Sequence, residues 1–211
     1  MRVRAELIVE SDGKEVFRGE SKSFLLNFCK VLYRMLATTG SATGSVTGVI
    51  SSATVTDTSG YSQTAYIEWY TGYLYVGGGT PAGMNGPDND DSFGIVVGSG
   101  SASVSPTDYR LASKISHGTG SGQLDHDTHA TTTSFSSTSS YIELARTFVN
   151  RSSGDVVVRE VGIMARSLWK DSTGIRNDVR YLIARDVLAT TYTVPAGGGA
   201  SVAITIEVEV G

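Results

Sequence analysis

The segment that constrains the fold most lies near the end of the chain. Apolar residues occupy every second position from 202 to 210, and Ala203, Thr205, Glu207 and Glu209 lie between them. A period of two residues is typical of a β-strand with one apolar face. This is the clearest strand signal in the sequence.

Further strands are predicted along the rest of the chain. Gly is 25 of 211 residues and charged residues are 18%, a composition that disfavours long surface helices and suits a β protein with many turns. Turn-forming residues separate the apolar segments, for example Asp57–Gly60 and Pro195–Gly199. The predicted strands fall within residues 3–9, 15–18, 49–76, 93–98, 141–150, 156–165, 181–188 and 201–210.

This pattern predicts a mainly β fold, an antiparallel β-sandwich or jelly roll. The length fits a single domain over residues 1–211. Three stretches rich in Gly, Ser and Thr are expected to form long loops, at about 38–48, 77–92 and 117–140.

One amphipathic α-helix is predicted near the N-terminus, over about residues 23–37. Phe24, Phe28 and Leu32 belong to an apolar stripe that repeats every 3.6 residues. Two interpretations of this stripe are open: it covers one face or end of the sheet, or it packs against a neighbouring subunit.

Several classes of partner are not expected. The net charge is −4 and no run of Lys or Arg is present, which argues against direct nucleic-acid binding. No apolar run approaches the roughly 18 residues of a membrane-spanning helix, so no membrane partner is expected. The N-terminal residues lack the apolar region of a secretory signal, so we expect synthesis and folding in the cytoplasm.

A histidine-containing segment is the best candidate for a metal site. Asp125, His126, Asp127 and His129 place two imidazoles and two carboxylates within five residues. A structural zinc site takes four ligands, usually with thiolates, and the segment has none. The favoured interpretation is a polar loop whose side chains are solvated or locally hydrogen-bonded.

A second, acidic segment offers oxygen ligands for calcium. Asp88, Asp90 and Asp91 lie close together, but the EF-hand spacing and its final Glu are missing. Turn formation by Asp and Asn explains these residues as well. We therefore expect no cofactor, with calcium as the one candidate.

No catalytic constellation is found. The sequence has no G-x-S-x-G motif with a plausible His partner, and Gly77–Gly79 is not followed by the Lys-Ser/Thr of a phosphate-binding loop. We therefore expect a protein that is not an enzyme.

Self-assembly is predicted from three groups of apolar and aromatic residues. The last predicted strand, if it is an exposed edge, would pair with another copy or cross into its sheet. A cluster of tyrosines lies much earlier in the chain. Tyrosine combines a large ring with a hydroxyl, and this combination suits interfaces. The candidate interface residues are Phe24, Phe28, Leu32, Tyr66, Tyr70, Val202, Ile204, Ile206 and Val208.

The final third of the chain carries a series of short motifs. Residues 146–150 read RTFVN, residues 160–162 read EVG, and residues 182–186 read LIARD. A turn at 194–198 (VPAGG) leads into the last strand. In this order the motifs resemble β-rich structural proteins of tailed phages, prophages and related viruses. The resemblance implies a virion component, that is, capsid, decoration, tail or fibre, located in the virion and in contact with other virion proteins.

The expected function is therefore a non-enzymatic structural subunit that assembles with copies of itself into a virion component. Two alternatives stay open at this stage. A subunit of a cellular extracellular filament or surface layer would have a similar composition. A carbohydrate-binding adhesin module would use the tyrosines and Trp69 to stack on sugars.

Overall fold

The computed structural model describes residues 2–11, 14–21, 24–30, 49–68, 84, 86–135, 139–170 and 176–209. The predicted mainly β fold with antiparallel sheets is confirmed. The strands of the described residues are β1 (Arg2–Ser11), β2 (Lys14–Glu20), β3 (Val49–Thr56), β4 (Ser62–Glu68), β5 (Gly94–Gly98), β6 (Asp125–Phe135), β7 (Ser139–Val149), β8 (Val156–Lys170), β9 (Arg176–Val194) and β10 (Gly199–Glu209).

The largest sheet has five strands in the order β2-β1-β10-β7-β6, and every neighbouring pair is antiparallel. The predicted final strand is confirmed as β10. It lies at the centre of this sheet, between β1 and β7, so the condition for edge pairing with another copy, an exposed last strand, is not met. Both main-chain edges of β10 are paired, one with β1 and one with β7, and its apolar side chains face the core: Val202 is 1% and Ile204 3% exposed.

Two smaller sheets complete the fold. One contains three strands in the order β5-β8-β9 and the other pairs β3 with β4. A single apolar cluster joins residues from all three sheets, which gives a sandwich-like arrangement. Its members include Leu7, Val9, Val55, Ala65, Ile95, Val97, Val161, Ile163, Ile183, Val202 and Ile204.

The predicted N-terminal helix is wrong in its start. Phe24 forms an antiparallel bridge with Ala184, and the Leu25 N–H donates to the carbonyl of Ile183 at 2.8 Å. These two residues are thus held in extended form along β9, and the helix begins at Leu26 and is described as far as Lys30. Residues 31–37 of the prediction lie outside the described residues. Within the part of the chain that the structure describes, no helix has the length and hydropathy needed to cross a bilayer.

The predicted loop at 117–140 is also wrong, because β6 runs through it from Asp125 to Phe135. This stretch is rich in Thr, a β-branched residue that favours strands, and it pairs with β7 along its length. The predicted loop at 77–92 is irregular where it is described, at residue 84 and at 86–92. The predicted loop at 38–48 lies outside the described residues.

Candidate functional site

The histidine-containing segment lies on β6 and is folded by a β-bulge. His126 is opposite Phe148 on β7, whereas His129 is opposite Arg146, so two residues on β6 face one on β7 between these pairs. The extra residue places both imidazoles on the inner face of the sheet. His126 is fully buried and His129 is 7% exposed, so the interpretation of a solvated polar loop does not hold for either histidine.

His129 is hydrogen-bonded through both ring nitrogens. Its Nε2 accepts the Ile95 N–H at 2.8 Å, so the proton is on Nδ1, which donates to the carbonyl of Gly86 at 2.7 Å. Gly94 makes room for the ring, since a Cβ there would lie 2.4 Å from His129 Cε1, and its φ of +90° favours glycine. Burial, and then the nearby Arg146 charge, lower the pKa of His129 to about 4.

His126 is buried without a hydrogen bond from either ring nitrogen to any described group. Its ring packs edge-on against Phe148, with centroids 4.9 Å apart, and edge-on against His117 at 5.8 Å. Burial, and then Arg146, lower its pKa to about 3. The neutral ring therefore behaves as a core aromatic residue.

Arg146 is the centre of this region. Its side chain is 1% exposed, and its guanidinium donates to the backbone carbonyls of residues on two segments. One segment is the loop that precedes and enters β5, and the other is the bulge of β6. The acceptors are Pro87 (2.8 Å), Asp90 (2.5 Å), Ile95 (3.1 Å), Phe93 (3.5 Å) and Asp127 (3.0 Å).

We call Arg146 with these five carbonyls the Arg146 clamp. Its acceptors converge on one positive charge, as carbonyls do around a bound cation, and here the guanidinium is that cation. Burial lowers the pKa of Arg146 to about 10, while Asp90 and Asp91 oppose this effect. The clamp holds the loop at 86–95 against the sheet.

The acidic segment proposed for calcium is engaged by the protein itself. Asp90 Oδ1 accepts the N–H of Ser92 at 2.7 Å, as expected for an Asp in a turn. Asp91 accepts a hydrogen bond from the backbone N–H of His117 at 2.8 Å and forms an ion pair with Lys114 at 3.0 Å. Asp88 is exposed.

The remaining candidate metal ligands do not converge either. Asp125 pairs with Arg151 and lies 3.5 Å from His117 Nδ1, and Asp127 is exposed on the other side of the bulge. Among the described residues, no group of three or more His, Cys, Asp and Glu side chains could hold a metal ion. The predicted metal candidates thus share a strand but form no common site in these ranges.

A second buried arginine holds a different loop. Arg185 on β9 is 2% exposed; its Nε donates to Glu160 at 2.8 Å and its Nη1 to Asp108 at 2.7 Å. It also donates to the carbonyl oxygens of Ala102 and Ser103. We call Arg185, Glu160 and Asp108 the Arg185 clamp.

Glu160 is the fully buried partner in that clamp. Besides Arg185, it accepts the backbone N–H groups of Ser113 (2.7 Å), Ala112 (3.1 Å) and Gly100 (3.2 Å). One carboxylate therefore binds both ends of the irregular segment between β5 and Lys114. The result is a long loop pinned to the sheet of β5, β8 and β9.

The motifs at 146–150, 160–162 and 182–186 supply Arg146, Glu160 and Arg185. Sequence reasoning quoted Arg146, Glu160 and Arg185 but missed their role. Asp186, the residue after Arg185, accepts the Ser21 hydroxyl at 2.6 Å and is not part of the Arg185 clamp. The available signal was a charged residue inside an otherwise apolar strand, because such residues are rarely buried unless paired.

Four of the five proposed interface residues whose side chains the structure describes face the core. Phe24 and Phe28 stack on each other, with centroids 4.3 Å apart, and pack against the main apolar cluster. Val202 and Ile204 are buried, and Ile206 is partly exposed. The positions of Leu32 and Tyr70, and the side chains of Tyr66 and Val208, lie outside the described part of the chain.

The two edges of the five-stranded sheet differ in character. β2 carries Lys14, Glu15, Arg18 and Glu20, and Arg18 forms ion pairs with Glu15 and with Glu6 on β1. The second half of β6, from Ala130 to Phe135, contains no charged residue. In the described residues no strand lies beyond β6.

Comparison with protein-family models, with curated proteins and with solved structures finds no match for this chain.

Proposed function

We propose that this chain is a non-enzymatic structural subunit that assembles with copies of itself, as part of a virion component. The observation that carries the proposal is the use of its buried charges. Arg146, Arg185 and Glu160 are each bound to the protein's own loops, so these costly residues serve to fix the shape of the subunit.

A subunit with fixed loops is what repeated assembly requires, because each copy must present the same surface to its neighbours. The clamps hold loops at 86–95 and 99–113 that would otherwise be free to adopt many conformations. The resemblance of residues 146–198 to virion proteins gives the finer part of the proposal.

The test is the assembly state of the purified chain. Sedimentation velocity across the micromolar range, with negative-stain microscopy of the same samples, is expected to give a defined oligomer, ring or filament. A monodisperse monomer at every concentration would contradict self-assembly, and a monomer that binds glycans on an array would favour an adhesin module instead. Genes for portal, terminase or major capsid proteins beside its own gene would support the virion assignment.

A further inference from the structure

We propose that β6 of one copy pairs antiparallel with β6 of a second copy about a two-fold axis, which joins two five-stranded sheets into one. This inference rests on the proposed self-assembly and names the surface that carries it. The occupant of the surface is a second copy of this chain.

The first step is the part of β6 that is open. Near its start, the carbonyls of His126 and Asp127 are occupied by the Asn89 N–H and by Arg146. Beyond His129, Ala130, Thr131, Thr132 and Ser134 are exposed. In an antiparallel edge strand, alternate residues direct their N–H and C=O groups away from the sheet, so this half of β6 offers main-chain partners to another strand.

The second step is the contrast with the opposite edge. Natural sheets protect their edges with charged side chains, and β2 has four such residues in seven positions. Ala130–Phe135 has none, although among the described strands it forms an edge of the same sheet. Protection by charged side chains is therefore present on β2 and missing from the second half of β6, which lies beyond the bulge.

The third step is the apolar row that reaches this edge. Along β7, Leu144 is 3% exposed but Ile142, two residues earlier on the same face, is 41% exposed. Leu144 lies opposite Thr131 and Ile142 opposite Thr133. A second sheet paired at β6 would extend this row of apolar side chains into the second copy. It would also shield one side of the row from solvent.

A second copy fits this edge because the edge is compatible with itself. In a two-fold dimer each residue meets the same segment of its partner, so like charges would face each other if any were present. The uncharged, Thr-rich stretch avoids that repulsion, and Thr–Thr pairs across antiparallel strands are favourable.

The test introduces charge at two exposed positions. Ala130 and Ser134 face Ala145 and Tyr141 on β7, neither of which is charged. The double variant Ala130→Lys/Ser134→Lys, and separately Ala130→Glu/Ser134→Glu, is expected to weaken self-association about tenfold or more through like-charge repulsion. Mixing the Lys and Glu variants should restore association. The amides of residues 130–135 that point away from β7 should become protected from hydrogen exchange only when the copies associate.

The matched control is Val16→Lys, which adds a charge to the exposed edge strand β2 and is expected to leave association unchanged. Circular dichroism and thermal melting check that all variants fold. If the parent chain associates but the Lys and Glu variants associate equally well, the β6 interface is overturned while the proposed function stands. If the parent chain is a monomer throughout, both are overturned.

Discussion

Arg146 and Arg185 do the same work in two different ways. Both lie on β-strands, both are almost fully buried, and each holds an irregular loop against a sheet. The Arg146 clamp uses only backbone carbonyls as hydrogen-bond acceptors. The Arg185 clamp instead binds two carboxylates, from Glu160 and Asp108, in addition to carbonyls.

The difference determines how each charge is compensated. Burial lowers the pKa of Arg146 to about 10, and nearby aspartates only partly offset the loss of water. Burial also acts to lower the pKa of Arg185, but hydrogen bonds to Asp108 and Glu160 outweigh it and the pKa is raised. We infer that the buried charge of Arg146 is compensated by the arrangement of its carbonyl acceptors, and the buried charge of Arg185 by opposite charges. The two clamps should therefore respond differently to substitution and to acid.

The largest expected effect is on the Arg146 clamp. Arg146→Met should lower the free energy of unfolding by about 3–5 kcal/mol, because it leaves several buried carbonyls without donors. Urea denaturation measures the loss. Arg151→Met, just beyond the end of β7, is the control: its side chain is 58% exposed, and a far smaller loss is expected. An equally small loss for Arg146→Met would show that other contacts hold the loop.

Acid should separate the two clamps. His129 and His126 have pKa values of about 4 and about 3 in the folded chain, against an ordinary value near 6.5. Below pH 6.5 the unfolded chain therefore binds more protons, and stability falls toward pH 4 by about 2–3 kcal/mol per pH unit, while above pH 7 the contribution is complete. Denaturation curves at several pH values measure this slope.

The local response distinguishes the regions. Amides of residues 86–95 should lose protection from hydrogen exchange at a higher pH than amides of residues 99–113, after correction for intrinsic rates, because the described Arg185 clamp has no histidine. His126→Phe should halve the acid slope at little cost at pH 7, since its ring already packs as an aromatic beside Phe148. Simultaneous loss of both regions would remove the proposed distinction.

The smallest expected effect is a coupling energy. Arg185→Met and Glu160→Gln should each destabilise the protein, and the double variant should be less damaging than their sum by about 1–3 kcal/mol, because the two side chains bond directly. Arg146→Met combined with Glu160→Gln is the matched pair without a shared contact, and its losses should add. Additive losses for Arg185 and Glu160 would mean that Glu160 is held mainly by its three backbone donors.

The strand pattern was predictable because it depends on local alternation. Residues 202–210 and 141–150 have one apolar face, and both form strands, β10 and β7. The position of β10 at the centre of its sheet was not predictable, since alternation specifies a buried face but says nothing about which strands lie on either side. The same alternation suits an edge or a centre.

The candidate site was harder to predict for a different reason. The partners of Arg146 and Arg185 are far away in sequence, and most of them are backbone carbonyls. Every residue has a carbonyl, so residue types do not indicate which ones will act as acceptors. The bulge that turns His126 and His129 inward also depends on pairing with β7. Thr-rich residues 131–134 looked like a loop by composition, although β-branched residues at this density favour a strand.

The central position of β10 has a consequence for how the chain folds. Arg2 on β1 pairs with Glu209 on β10. One edge of β1 therefore stays unpaired until the last strand of the chain has been made. During synthesis, β1 and β7 each have an open edge until β10 arrives between them. Such long-range pairing slows folding and leaves aggregation-prone intermediates, so the yield of native protein should depend on temperature and chaperones more than its final stability would suggest.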